Sequence, residues 1–208
     1  MPLNIPTTGT ENNVSFGPGR VYMEQYPAAG PVASGSTPTT DVGWIGEDGV
    51  NVELTSEKRN IVQGNPQLVA YSFCTTQSAM INFTSIQWDF DNFILALGAG
   101  TTSNGTGGSG VGATVGASGG AGVNFDFGGN PLNTLTSMRI EHQMATTGDT
   151  MYVYGWKTQS ESGFTIPFSA TEEHSFEFSF QVIRCEVDWC GVALPQEQQL
   201  IRFYRQTT

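Results

Sequence analysis

The feature that most constrains the fold is an alternation of apolar and polar side chains with a period of two residues. Successive side chains of a β-strand point to opposite faces, so this pattern predicts a strand with one buried face. It is clearest at residues 174–182, where Phe176, Phe178, Phe180 and Val182 alternate with Ser175, Glu177, Ser179 and Gln181.

The same alternation recurs along most of the chain. Residues 21–23 fit a short strand, and about nine further strands are predicted from period-two segments and terminal apolar runs. These segments are residues 50–54, 69–73, 81–83, 123–127, 138–144, 151–156, 164–168, 174–182 and 200–204.

One segment, residues 88–97, has a helical pattern instead. Asp89 is suited to the N-cap, Asp91 places negative charge at the positive end of the helix dipole, and Gly98 is suited to a left-handed C-cap. The spacing predicts one apolar face, which packs on a sheet and contains Phe90, Phe93, Ile94 and Leu97.

Together these elements predict a mainly β protein with two packed antiparallel sheets, forming a sandwich or barrel, and one flanking α-helix. Residues 1–41, rich in Pro, Gly, Thr and Ala, are predicted to form an extended N-terminal arm, and residues 42–208 a single β-sandwich domain. A glycine-rich loop is predicted at 99–122, because eleven of the 26 glycines lie within 98–122. Residues 56–66 read as a long polar hairpin or loop.

The charge composition excludes a tight nucleic-acid binder. The 208 residues include 8 basic and 19 acidic side chains, which give a formal net charge of −11. Affinity for nucleic acids depends on clustered Lys and Arg, and so few basic residues cannot provide that surface.

Three further features of the sequence concern membrane insertion, secretion and the redox state of the cysteines. The longest uncharged run, within 92–125, is rich in Gly, Ser and Thr, so no membrane span is predicted. The first ten residues have neither a basic nor an apolar region, and no signal peptide is expected. The three cysteines are expected to be reduced thiols.

Two sequence motifs that occur in enzymes lack the flanking strand and helix that their chemistry needs. Residues 116–120 match G-x-S-x-G and residues 105–110 match G-x-G-x-x-G, but neither lies between a predicted strand and a predicted helix. His142 and His174 lie 32 positions apart, and the carboxylate pairs fall in turns or caps. The sequence therefore predicts a protein that is not an enzyme and that has no catalytic residues, cofactor or metal site.

Six segments give the sequence a resemblance to a known family. They are GPGRVY (17–22), DVGWIGEDGV (41–50), AMINF (79–83), FILALG (93–98), FTIPF (164–168) and EFSFQV (177–182). In order and spacing they resemble the major tail tube proteins of long-tailed, siphovirus-type bacteriophages. The similarity extends over roughly two thirds of the chain, and the tract 99–122 departs from the family.

This resemblance implies a structural virion protein of the phage tail, assembled in the host bacterial cytoplasm. Six copies would form a ring, and stacked rings would form a hollow conduit through which genomic DNA passes in transit. Further implied partners are the tape measure protein, the tail terminator and the distal tail or baseplate proteins, with no membrane partner.

Two sets of residues become candidates in such a tube. The hairpin at 56–66 would be the stacking loop, with inter-ring contacts from Glu57, Lys58, Arg59, Asn60 and Gln63. An acidic lumen would repel DNA phosphates, so that DNA slides without binding. Candidates for that lumen, which fit the outer surface equally well, are Glu141, Glu177, Glu186 and Asp188.

Two alternatives remain open at this level. A secretion-system tube protein would have the same fold. A monomeric carbohydrate-binding or hydrolytic sandwich would instead expose its tryptophans, which are Trp44, Trp88, Trp156 and Trp189.

Overall fold

The fold was analysed in a computed structural model of the chain. The structure describes residues 19–27, 30–31, 37–87, 89–97, 101–105, 122–126, 135–144, 147–161, 163, 165 and 175–207. In chain order the elements are β1 (Arg20–Gln25), β2 (Thr40–Asp41), β3 (Ile45–Gln63), β4 (Leu68–Ser85), α1 (Phe90–Leu97), β5 (Thr101–Gly105), β6 (Gly122–Asp126), β7 (Thr136–Gln143), β8 (Thr150–Ser160), β9 (Phe176–Val182), a short 3-10 helix (Gln196–Gln198) and β10 (Ile201–Gln206).

Eight of the strands form one antiparallel sheet. Its order is β2-β1-β7-β8-β9-β4-β3, and β10 pairs with the first half of β8 while β9 pairs with the last three residues of β8. The predicted mainly β, antiparallel character with one helix is confirmed for the described residues. Hydrogen bonds join these strands into a single sheet, whereas the sequence predicts two packed sheets.

The sheet curls around one apolar core. A side-chain carbon added at Gly19, next to β1, would lie 3.6 Å from Val50 Cγ2 on β3, although β1 and β3 lie near opposite ends of the strand order. The alternation predicted from sequence decides which side chains point inward. The buried cluster draws on β1, β4, β7, β8 and β9, and includes Val21, Met23, Ile81, Phe83, Met138, Ile140, Val153, Phe176, Phe178 and Phe180.

The helix α1 is confirmed, with a shifted buried face. Asp89 Oδ1 accepts a hydrogen bond from the Asp91 backbone N–H at 3.0 Å, as predicted for the N-cap residue. Phe93 is buried and meets the Phe176 ring at 5.0 Å between centroids. Ile94 and Leu97 are only half-buried, because the face that meets the core is centred on Asn92, Phe93 and Ala96.

A second apolar cluster forms on the outer side of β8, where residues 183–200 fold back over the sheet. The Trp156 indole N–H donates to the Gln198 carbonyl at 2.9 Å, and the Trp156 and Trp189 rings lie 4.7 Å apart. Burial raises the pKa of Tyr26, whose hydroxyl lies 3.5 Å from Cys185 Sγ, to about 12. Of the four tryptophans, Trp156 and Trp189 are therefore core residues, Trp44 is exposed, and Trp88 lies outside the described residues.

Three predicted regions differ from the structure or lie partly outside it. The long polar hairpin or loop at 56–66 is wrong as a loop, because β3 continues to Gln63 and only residues 64–67 form the turn. In the predicted N-terminal arm, Arg20–Gln25 and Thr40–Asp41 are strands of the sheet, and residues 1–18 lie outside the described residues. Thr101–Gly105 and Gly122–Asp126 form a two-stranded ribbon at the ends of the glycine-rich tract.

The predicted strand at 164–168 lies outside the described residues except for Thr165, and so do both glycine motifs except for Gly105. No helix in the described part of the chain is long and apolar enough to cross a membrane.

Asn92 provides a test of how the helix is held. Its side-chain amide donates to the Val42 carbonyl at 2.9 Å in a fully buried position. Asn92→Ala leaves that carbonyl unpaired, so we expect the free energy of unfolding to fall by about 1–3 kcal/mol. Urea denaturation measures the change, and Asn51→Ala, at an exposed strand position, is the matched control. An equal loss in both variants would contradict the assigned role.

Candidate assembly interface

The distal half of the β3–β4 hairpin projects from the sheet as an arm, defined here as residues 53–77. Every residue in this range is exposed, in contrast to the buried alternation that begins at Ala79. At about 3.4 Å per residue, ten residues of each strand extend the arm by about 34 Å. The arm is therefore a large feature without core contacts in the described structure.

Its sequence explains why the arm is still a hairpin. The strands are rich in β-branched and aromatic residues, among them Ile61, Val62, Val69 and Tyr71. Gly64, with φ of +97°, opens the turn in a conformation that favours glycine. An isolated two-stranded hairpin is marginally stable in water, so the arm depends on its root in the sheet and on contacts that it makes elsewhere.

The two faces of the arm differ in polarity. Ile61 pairs with Tyr71 and Arg59 pairs with Phe73, and the Tyr71 and Phe73 rings stack at 6.3 Å between centroids. With Leu68, the apolar members of this face form what we call the apolar strip, namely Ile61, Leu68, Tyr71 and Phe73. Leu68 and Tyr71 are 69% and 64% exposed. The opposite face has the polar pairs Lys58 with Cys74 and Asn60 with Ser72, and it becomes apolar only next to the turn, where Val62 pairs with Val69.

Both edges of the arm are open. β9 pairs only with Met80–Ser85 of β4, and β3 has no partner except β4 among the described strands. Unpaired strand edges are templates for pairing with another chain. A contiguous exposed apolar surface is typical of a protein interaction site. The arm therefore has two independent features of an assembly surface.

The arm contains all five of the residues predicted as inter-ring contacts, and the structure places them on exposed positions of β3. They are Glu57, Lys58, Arg59, Asn60 and Gln63. The apolar strip does not follow from the sequence, because the alternation in 69–73 predicts a half-buried strand whose apolar face packs within the protein. The available signal is the polar segment 56–60, because its partners across the ladder, residues 72–77, are also largely polar and leave little apolar surface to pack in a core.

The four predicted lumen acids lie in three different places. Glu141 is on β7 and pairs with Arg139 at 3.1 Å, and Glu177 is on an exposed position of β9. Glu186 pairs with Arg184 at 3.3 Å. Asp188 stabilises the turn after it, since its Oδ1 accepts the backbone N–H groups of residues 190 and 192 at 2.9 and 2.8 Å.

Around Glu141, the outer face of the sheet is basic and aromatic. Tyr22, Arg139, Tyr154 and Arg202 are cross-strand neighbours in one row across four strands. The Arg139 guanidinium lies 4.4 Å from the Tyr22 ring centroid. A hydrogen bond with Tyr22 raises the pKa of Arg20, and burial raises the pKa of Tyr154. We call this surface the Arg–Tyr face.

Glu177 lies at a cleft where the first residues of β3 approach β7, β8 and β9. The cleft has a volume of about 1150 Å³. Its apolar floor includes Val50, Val52, Ile140 and Val153, and its exposed rim includes Glu47, Asp48 and Glu177. We call it the acidic cleft. The described residues contain no group of three or more His, Cys, Asp or Glu side chains arranged to bind a metal ion.

Comparison with known proteins identifies no relative: no protein-family model and no curated protein matches the chain.

The apolar strip can be tested against the opposite face of the same strand. Replacing both Tyr71 and Phe73 with Thr keeps a good strand former while removing the aromatic surface. Buried aromatics dominate most protein interfaces, so we expect self-association to weaken by at least about tenfold, equivalent to ~1.4 kcal/mol. Sedimentation equilibrium measures this.

The control replaces Ser72 and Cys74, on the polar face, with Thr. We expect it to self-associate like the parent chain. A control that weakens association as much as the aromatic pair would contradict the assignment of the contact to the apolar strip.

Proposed function

We propose that the chain is the structural subunit of a phage tail tube, in which six copies form a ring and rings stack into a hollow conduit. The projecting amphipathic arm carries this proposal. A solvent-exposed strip of aromatic and aliphatic side chains on an open-edged hairpin is unfavourable in an isolated molecule and favourable where a second molecule covers it.

The arrangement of the sheet is compatible with such a subunit. In the proposal, β1, β7 and β8 form one layer and β3, β4 and β9 the other, with the curl of the sheet joining them. The helix lies against the core through Phe93, so it flanks the layers. The arm extends beyond both layers and is long enough to reach a neighbouring ring.

The net charge supports a conduit through which DNA passes. Six copies of a chain with a net charge of −11 carry −66 per ring. An acidic wall repels phosphates over roughly a Debye length, about 8–10 Å at physiological salt, so the genome slides without binding. Of the four proposed lumen acids, Glu141 and Glu186 each pair with an arginine, whereas Glu177 and Asp188 have no salt bridge among the described residues.

In this role the chain acts as a virion component, not as an enzyme. Its partners are copies of itself, the tape measure protein, the tail terminator and the distal tail or baseplate proteins. Assembly takes place in the host bacterial cytoplasm.

Truncation of the arm tests the proposal directly. Thr55 and Ser78 face each other in the ladder, so an Asn-Gly turn can replace residues 56–77 and close a short hairpin. We expect the parent chain to form hollow tubes of stacked rings in negative-stain electron microscopy. The truncated chain should keep its β circular dichroism spectrum and form no tubes.

Two results would contradict the proposal. One is a parent chain that stays monomeric up to millimolar concentration, and the other is a truncated chain that still forms tubes. In a reconstruction of the tube, a neutral or basic lumen would contradict the DNA-sliding role alone.

A further inference from the structure

We propose that the acidic cleft of one copy is the receptor for the arm of a second copy. This inference rests on the proposed function and identifies the surface that covers the arm. The cleft and the arm complement each other in two respects, polarity and charge, and each is derived from different residues.

The polarity of the two surfaces matches. The cleft has an apolar floor beneath a polar rim, and its volume of about 1150 Å³ is larger than the roughly 300–1,000 Å³ typical of small-molecule sites. A cleft of this size can hold a short polypeptide segment. The arm presents such a segment, in which the apolar strip lies beside the charged Arg59.

The charges that remain without a partner also match. Six of the eight basic side chains have an acidic or aromatic partner within the chain: Arg20 and Arg139 with Tyr22, Lys157 with Tyr26, Arg184 with Glu186, Arg202 with Tyr204, and Arg205 with Asp149. Among the described residues, Lys58 and Arg59 of the arm have none. The rim carboxylates Glu47, Asp48 and Glu177 likewise have no basic partner there.

The arm cannot occupy the cleft of its own chain. Both surfaces belong to β3, with Val50 in the cleft and Ile61 in the apolar strip, and the strand between them is held in one continuous ladder with β4. Eleven residues of strand separate them by about 36 Å. The occupant that we propose is therefore the arm of a second copy, and the interface is head-to-tail where each copy donates its arm to one neighbour and accepts the arm of another.

The Arg–Tyr face is a second candidate surface among the described residues, and its charge excludes it as the receptor. Arg20, Arg139 and Arg202 would lie close to Lys58 and Arg59, and like charges brought together across an interface are unfavourable. The acidic cleft has the opposite sign. Charge therefore selects between the two candidate surfaces.

Charge reversal on both surfaces of one chain tests the inference. Lys58→Glu with Arg59→Glu, and separately Glu47→Lys with Asp48→Lys, should each weaken self-association by at least about tenfold, because each places like charges in contact. The chain with all four changes should recover association to within about threefold of the parent, about 0.7 kcal/mol. Sedimentation equilibrium gives the constants, and circular dichroism confirms folding.

A matched control has the same change in net charge elsewhere. Glu186→Lys with Glu197→Lys, at exposed positions of residues 183–200, should not restore association to the Lys58→Glu, Arg59→Glu chain. Restoration by this control, or failure of the four-change chain to recover, would overturn the inference. If the inference is overturned in either way but the parent chain still forms tubes, the proposed function stands and only the cleft is excluded as the receptor. A parent chain that forms no tubes contradicts the proposed function itself.

Cross-linking locates the contact independently of net charge. Cys74 is an exposed thiol on the arm, and Cys190→Ser removes the other exposed thiol. In that background, Asp48→Cys should give a ladder of oligomers with a short bismaleimide, whereas Tyr204→Cys, on the Arg–Tyr face, should give none. A ladder from position 204 and none from position 48 would reverse the assignment of the receptor.

Discussion

The structure depends on the hydrogen-bonded ladder between β3 and β4. At its root the ladder is part of the core, where Ile81 and Phe83 are buried and the Phe83 ring meets that of Phe178 at 5.3 Å. A one-residue slip would turn this buried set to the other face, so the core fixes the register. The ladder continues into the arm, where no core contact supports it and where its register shifts between Glu57 and Lys58 and between Ile61 and Val62. The core residues at the root of the β3–β4 ladder therefore set the direction in which the arm projects.

The sequence predicts the core better than the arm because periodicity reports which side chains share a face, not what covers that face. For Phe176, Phe178 and Phe180 the cover is the protein itself, and the predicted alternation matches the burial. For Tyr71 and Phe73 an equally clear alternation lies in solvent. Distinguishing the two cases requires knowing that β9 ends its pairing at Met80, which is a property of the topology.

The opposite problem arises at 56–60, where the polar composition leaves a hairpin and a loop equally open and the structure has a strand. A strand normally shows an apolar face because it packs on something, and a strand with solvent on both sides loses that signal while keeping its hydrogen bonds. The sequence therefore identifies the five candidate contact residues, but it does not predict that they lie on a strand whose ladder sets their direction. The acidic cleft was beyond sequence reasoning altogether, since Glu47 and Glu177 are distant in sequence and meet at one rim.

The arm also combines strong interaction potential with features that limit indiscriminate pairing. Its ladder has irregularities between Glu57 and Lys58 and between Ile61 and Val62, and such bulges twist and interrupt an edge. The extra residues of both bulges, at positions 75 and 70, are on β4, and Lys58 and Arg59 add charge to the other edge, β3, which further disfavours edge-to-edge association between identical arms. Two arms would bring these cations together, whereas an arm in an acidic cleft pairs them with carboxylates. The features that make arm-to-arm contact unfavourable therefore favour the proposed arm-to-cleft contact, and a head-to-tail contact of that kind extends to further copies, in a closed ring or an open stack.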